Sequence, residues 1–137
     1  MVVSEQPKSA LHVEDDKIWQ RTIRLCLEKA GYNVVQADNL EGAQTRVKER
    51  RFDLYVIDGH FPRIQDSRYP SPDAGAELYQ TIIQTYGKNA RCVFVSGDME
   101  LGMRCRESGV EFFDKGYFDH DSFTSYLKLN VITPRMR

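Results

Sequence analysis

Apolar residues in this chain gather into five short runs, each closed by charged or turn-forming residues and followed by a stretch of helical spacing, and few architectures accept that alternation. The runs are 10–13, 32–37, 52–57, 92–95 and 110–113, rich in β-branched and aromatic residues, and they read as buried strands. Residues 17–30 place Trp19, Ile23, Cys26, Leu27 and Ala30 on one helical face before Gly31 supplies a stop. Ser71-Pro72-Asp73 marks a second helix start, and Ala76, Leu78, Tyr79, Ile82, Ile83 and Tyr86 follow at helical spacing up to Gly87. Residues 99–108 repeat the pattern with Leu101, Met103 and Cys105 before Gly109, and residues 121–129 do so with Phe123, Tyr126 and Leu127. A helix is also expected from Asp38, which with Glu41 has the form of a capping box, to about Arg50, with Leu40, Ala43 and Val47 facing inward. Strand–helix units in unbroken succession predict an α/β fold with a parallel sheet covered on both faces. All carboxyl ends of its strands then lie along one rim.

Composition narrows the functional classes. The 137 residues suffice for one domain, here 10–129, with an N-terminal extension 1–9 and a C-terminal tail 130–137. Nineteen basic against twenty acidic residues leave a formal net charge of -1, so bulk charge supports neither a direct nucleic-acid partner nor an anionic membrane. No segment approaches the roughly 18 continuous apolar residues of a membrane span, and the first residues do not form a secretory signal, so a cytoplasmic protein is expected. Cys26, Cys92 and Cys105 are odd in number and share no Cys-x-x-Cys spacing, which reads as reduced structural thiols.

Chemistry concentrates at the predicted rim. Glu14, Asp15 and Asp16 follow the first run, Asp58 ends the third just before Gly59, Ser96 follows the fourth and Lys115 follows the fifth. An Asp after a strand most often caps a turn, and what separates that role from chemistry is whether other charged groups converge on the same edge. Carboxylates gathered this closely repel one another unless a cation offsets them, and hard oxygen ligands favour Mg²⁺ or Mn²⁺. Asp58 is then a candidate nucleophile for phosphoryl transfer, with Lys115 and the Ser96 hydroxyl placed to stabilise charge on phosphoryl oxygens.

Taken in order, Val13-Glu14-Asp15-Asp16, Val56-Ile57-Asp58 with Pro62, Asp73-Ala74-Gly75, Val95-Ser96-Gly97 and Phe112-Phe113-Asp114-Lys115 resemble the receiver domain of two-component response regulators over nearly the whole chain. The resemblance implies a flavodoxin-like (βα)5 three-layer sandwich with a five-stranded parallel sheet of order 2-1-3-4-5. It implies a phosphoacceptor switch of a two-component phosphorelay rather than an enzyme, phosphorylated on Asp58 by a histidine kinase or histidine phosphotransfer protein in a Mg²⁺-dependent reaction. Glu14 and Asp15 match the acidic pair of the metal site. Asp15, Asp58 and the backbone carbonyl of His60 would be the direct ligands, and Asp16 need not ligate. Ser96 matches the switch hydroxyl, Lys115 its basic partner and Phe112 the aromatic switch position. The output surface would be the fourth helix, fifth strand and fifth helix, 99–129. With no output domain after it, the signal is expected to leave by contact with a downstream protein.

The departures from the family pattern set further expectations. Gly116 follows Lys115 where members carry a proline in a cis peptide, and a non-proline cis bond costs about 2.5–4 kcal/mol, so a trans peptide and a differently held lysine are expected. The loop 63–72 is long, polar and proline-rich, neither helix nor central strand. His60 and Asp98 each lie two residues past a site residue, at positions where the family tunes dephosphorylation. His12 reads as a packed core histidine, Trp19 as core or partner-facing bulk and His120 as a surface residue. The three histidines lack zinc-ligand spacing. The alternatives are a receiver-like protein-binding module that is not phosphorylated and a small aspartyl-phosphate phosphatase. The phosphatase would want an Asp where His60 stands.

Overall fold

A computed structural model describes the backbone of residues 7–132 and the side chains of residues 7–129. The element order is β1 (Lys8–Val13), α1 (Lys17–Lys29), β2 (Tyr32–Ala37), α2 (Leu40–Glu49), β3 (Leu54–Ile57), α3 (Ala74–Tyr86), β4 (Cys92–Ser96), α4 (Met99–Ser108), β5 (Glu111–Asp114), a 3-10 turn (Lys115–Tyr117) and α5 (His120–Ile132). All strand pairs are parallel, and the sheet order is β2-β1-β3-β4-β5, as expected. β1 begins at Lys8, so the extension yields its last two residues to the sheet, and α5 runs to Ile132, so the start of the expected tail is helix. Residues 1–6 and 133–137 lie outside the described residues.

Side-chain alternation along the strands divides the core between the two faces of the sheet. Leu11, Val13, Tyr55, Ile57 and Phe94 pack with Leu40, Val47, Leu78, Ile82 and Leu101 of α2, α3 and α4. Ala10, Leu54, Val56, Val93 and Val95 pack with Ile23, Leu27, Phe123 and Leu127 of α1 and α5. His12 shares its parity with Ala10, is buried, and its ring Nδ1 meets the Gln36 side-chain amide of β2. Burial pulls its pKa down to about 3, so it is a neutral core histidine, as its place within an apolar run implies.

One helix start differs from expectation. Asn39, not Asp38, caps α2, and its side-chain oxygen accepts from the Gly42 amide at 2.8 Å. The amides of Leu40 and Glu41 donate to the carbonyls of Pro62 and Arg63, so the long loop satisfies part of the first turn of α2. That loop is pinned at both ends: Ser71 donates its amide to the Phe61 carbonyl at 2.8 Å, and Arg63 forms a two-pronged pair with Glu77 on α3. α3 starts at Ala74 without a side-chain cap, and Pro72 lies before it. Among the described residues no helix is long and apolar enough to cross a membrane, and Cys26, Cys92 and Cys105 are free.

Candidate functional site

The sheet register brings the expected residues to one place. Val13 pairs with Ile57, and Ile57 with Phe94, so Glu14 and Asp58 stand level with each other one residue past those partners. Ser96 pairs with Asp114, which sets Lys115 one step above the Ser96 hydroxyl, and its long stem reaches back down to the carboxylates. The Asp58 amide donates to the Val13 carbonyl, continuing the ladder to the rim. Two glycines permit the close approach of the loop that follows Asp58. A Cβ on Gly59 would lie 2.9 Å from Ser96 Oγ and 2.6 Å from Leu101 Cδ2, and one on Gly75 would lie 2.5 Å from the Asp58 carbonyl oxygen.

Glu14, Asp15 and Asp58 each offer an oxygen, and these oxygens lie within 4.8 Å of one another. Lys115 Nζ donates to Glu14 Oε1 at 2.8 Å and stands 3.4 Å from Asp58 Oδ1. Glu14 Oε2 accepts from the Asp16 amide, and Asp58 Oδ1 from the Gly59 amide. Asp16 turns away to cap α1, accepting from the amides of Ile18 and Trp19, so it stays outside the cluster as expected. Burial, reinforced by the like charge of Asp58, pushes the Glu14 carboxyl up to about 8, with Lys115 offsetting only part of the cost. Burial likewise raises Asp58 against the pull of Lys115. Burial alone would lower Lys115, but its hydrogen bond to Glu14 and the charges of Asp58 and Glu14 outweigh it, so the ammonium is held protonated. An all-oxygen donor set in which burial raises both Glu14 and Asp58 fits a hard divalent cation.

Above the carboxylates opens a cleft of about 530 Å³ whose lining includes Asp58, His60, Ser96, Asp98, Met99 and Lys115. Ser96 is buried, and its Oγ accepts from the Asp98 amide at 3.1 Å. Asp98 caps α4 through Oδ1, which accepts from the amides of Glu100 and Leu101, while its Oδ2 meets His60 Nε2 at 2.8 Å. The His60 contact is the main cause that holds the Asp98 carboxyl low. His60 and Asp98 are therefore one pair spanning the cleft, a contact that their positions in the sequence do not reveal. Phe112 is half-buried, and its ring lies against α4 at Gly102, where a Cβ would come within 2.8 Å of it.

Gly116 has a local use. Its amide donates to Asp114 Oδ1 at 2.8 Å, a bond proline cannot make, and no cis peptide occurs among the described residues. Trp19 is the site residue that sequence reasoning passed over. Its ring centre lies 5.1 Å from Lys115 Nζ, and although it stands in the first turn of α1, three residues past Asp16, nothing in the local sequence signals a contact with a lysine on the far side of the sheet order.

Comparison with known proteins agrees with this geometry. The family model of the response regulator receiver domain matches residues 10–120, and the chain belongs to that family. Among solved structures it is similar to the receiver domain of the sensor histidine kinase PA1611 from Pseudomonas aeruginosa PAO1, which has a magnesium ion coordinated in its active site cleft. That match is 20% identical, covers 90% of this chain and 96% of the other, and has a TM-score of 0.71. The non-phosphorylated HemR receiver domain from Leptospira biflexa is 26% identical over 95% of this chain and 97% of its own, at a TM-score of 0.68. The chemotaxis response regulator CheY4 of Vibrio cholerae is 19% identical over 90% and 98%, at 0.71. No curated protein matches the sequence.

Proposed function

We propose that this receiver domain is a phosphoacceptor switch in which Asp58 takes a phosphoryl group from a histidine kinase or histidine phosphotransfer protein. The observation that carries the reading is the meeting of three carboxylates within 4.8 Å, with Lys115 3.4 Å from Asp58, at the carboxyl end of a parallel sheet. A carboxylate oxygen of Asp58 attacks phosphorus, the O–P bond forms as the P–N bond to the donor imidazole breaks, and the imidazole leaves with its electron pair. Lys115 exchanges part of its contact with Glu14 for a phosphoryl oxygen, and the Ser96 hydroxyl donates to another. Asp15, Asp58 and the His60 carbonyl would hold Mg²⁺, or Mn²⁺ in its place, with Glu14 beside them. Such a cation would neutralise charge on the phosphoryl oxygens.

The switch follows from the hydrogen bonds of Ser96. Its Oγ now accepts from the Asp98 amide at the start of α4, so drawing the hydroxyl toward a phosphoryl group pulls on that cap. α4, β5 and α5 would carry the change to a downstream protein, with Phe112 moving against Gly102.

The test is incubation with Mg²⁺ and a small acyl phosphate, read by intact mass. One added phosphate is expected in the wild type and none in Asp58→Asn. Failure of the wild type under conditions that label another receiver domain would favour a binding module that is not phosphorylated. Sustained hydrolysis of phosphomonoesters would favour a phosphatase.

A further inference from the structure

Lys115 must be aimed without a proline behind it. Its backbone is fixed by the turn that Asp114 and the Gly116 amide close, but the side chain keeps a flexible four-carbon stem. Glu14 and Asp58 draw the ammonium from one side, at 2.8 Å and 3.4 Å. From another side it meets the ring of Trp19, 5.1 Å from Nζ to the centroid. That ring is itself held. The Trp19 amide lies in the Asp16 cap, and the indole and Phe118 rings meet in a T-shaped contact at 5.2 Å and 86°. Phe118 in turn packs at 5.2 Å on Phe123, which is fully buried.

We propose that Trp19 is the positioning residue for Lys115, with the π face of the indole holding the ammonium at the rim and aimed at Asp58. An aromatic face attracts a cation through its quadrupole and takes up none of its N–H donors. The three donors stay free for Glu14, Asp58 and an incoming phosphoryl oxygen, so the lysine can trade one oxygen for another without leaving the ring. A carboxylate at position 19 would compete with the phosphoryl group for Lys115, and an aliphatic side chain would hold nothing. The consequence for phosphoryl binding rests on the proposed function; the placement of the lysine does not.

Chain composition makes the test clean, because Trp19 is the single tryptophan. Ring-current shielding is expected to move the Lys115 ε-methylene protons upfield in the wild type, less so in Trp19→Phe and not at all in Trp19→Leu. Binding of beryllofluoride with Mg²⁺, a phosphoryl analogue, is expected to weaken about five- to tenfold in Trp19→Leu and to recover to within about threefold of wild type in Trp19→Phe. Urea midpoints of both variants show that they fold. An unshifted Lys115 in the wild type overturns the proposal, and so do equal affinities for the Leu and Phe variants. A wild type that binds no beryllofluoride contradicts the phosphoacceptor reading instead, while the lysine shift still decides where Lys115 rests.

Discussion

β3 is buried throughout and β1 and β4 are buried over the four residues that lead to the rim, whereas β5 carries one exposed and three half-buried residues. The helices differ in the same sense. α3 buries Ala74, Gly75, Leu78 and Ile82, while α4 buries only Leu101 and Cys105 and leaves Met99 and Met103 open to solvent. Sparse burial is the physical mark of a segment that moves at low cost. Asp58 and Glu14 are thus mounted where the sheet is most tightly packed. Ser96 and Lys115 lead into the segment that packs least. The proposed switch wants that division, because Asp58 would have to hold its geometry while α4 and β5 change.

Substitutions of glycine separate the two regions most forcefully. Gly75→Val drives a side chain into the Asp58 and Gly59 backbone and is expected to cost about 3 kcal/mol in urea unfolding. Gly97→Ala, on the loop into α4, meets nothing within 4 Å and is expected to stay within about 0.5 kcal/mol of wild type. Similar losses for the two would deny the difference in packing.

Titration sharpens the contrast within the packed part. Glu14 binds its proton more tightly folded, at about 8, than at the ordinary 4.5, so the stability it adds is full below 4.5 and is lost as pH rises toward 8. His12 has the opposite sign. Its pKa falls from 6.5 to about 3, so its contribution is full above 6.5 and is lost as pH falls toward 3. Between pH 6.5 and 8, of these two groups only Glu14 changes the stability. In EDTA, unfolding free energy is expected to fall by up to about 2 kcal/mol across that interval, and Glu14→Gln is expected to flatten it. Mg²⁺ affinity should climb over the same interval, because a cation beside Glu14 favours loss of its proton.

A smaller effect is expected on the loose side. Gly102→Val would put its Cβ against the Phe112 ring, which can swing, so a cost of about 1 kcal/mol is expected in urea unfolding, together with shifted Phe112 ring resonances. The smallest belongs to Arg63→Ala. The Arg63–Glu77 pair is on the surface, so the unfolding midpoint should hold while limited proteolysis of the loop after Pro62 quickens.

The strands and the rim residues were legible because four of the five apolar runs are followed by charged or hydroxyl residues that converge on one edge, as Val56-Ile57-Asp58 and Val95-Ser96-Gly97 show. What escaped were contacts between distant parts of the chain. Asp38 and Asn39 are both cap formers, and the choice between them falls to the Pro62 and Arg63 carbonyls that dock on the start of α2. The His60–Asp98 pair joins two loops 38 residues apart. Trp19 looked like bulk because its partner is a lysine almost a hundred residues on, and no spacing rule connects a helix face to a rim across the fold.

Hydrogen exchange before and after phosphorylation, with added phosphate counted by mass in the same samples, tests the division most directly. The account predicts that exchange changes in residues 97–118 while 10–13 and 54–57 keep their protection. Phosphorylated protein whose exchange changes mainly in 10–13 and 54–57, with 97–118 unaltered, would contradict it.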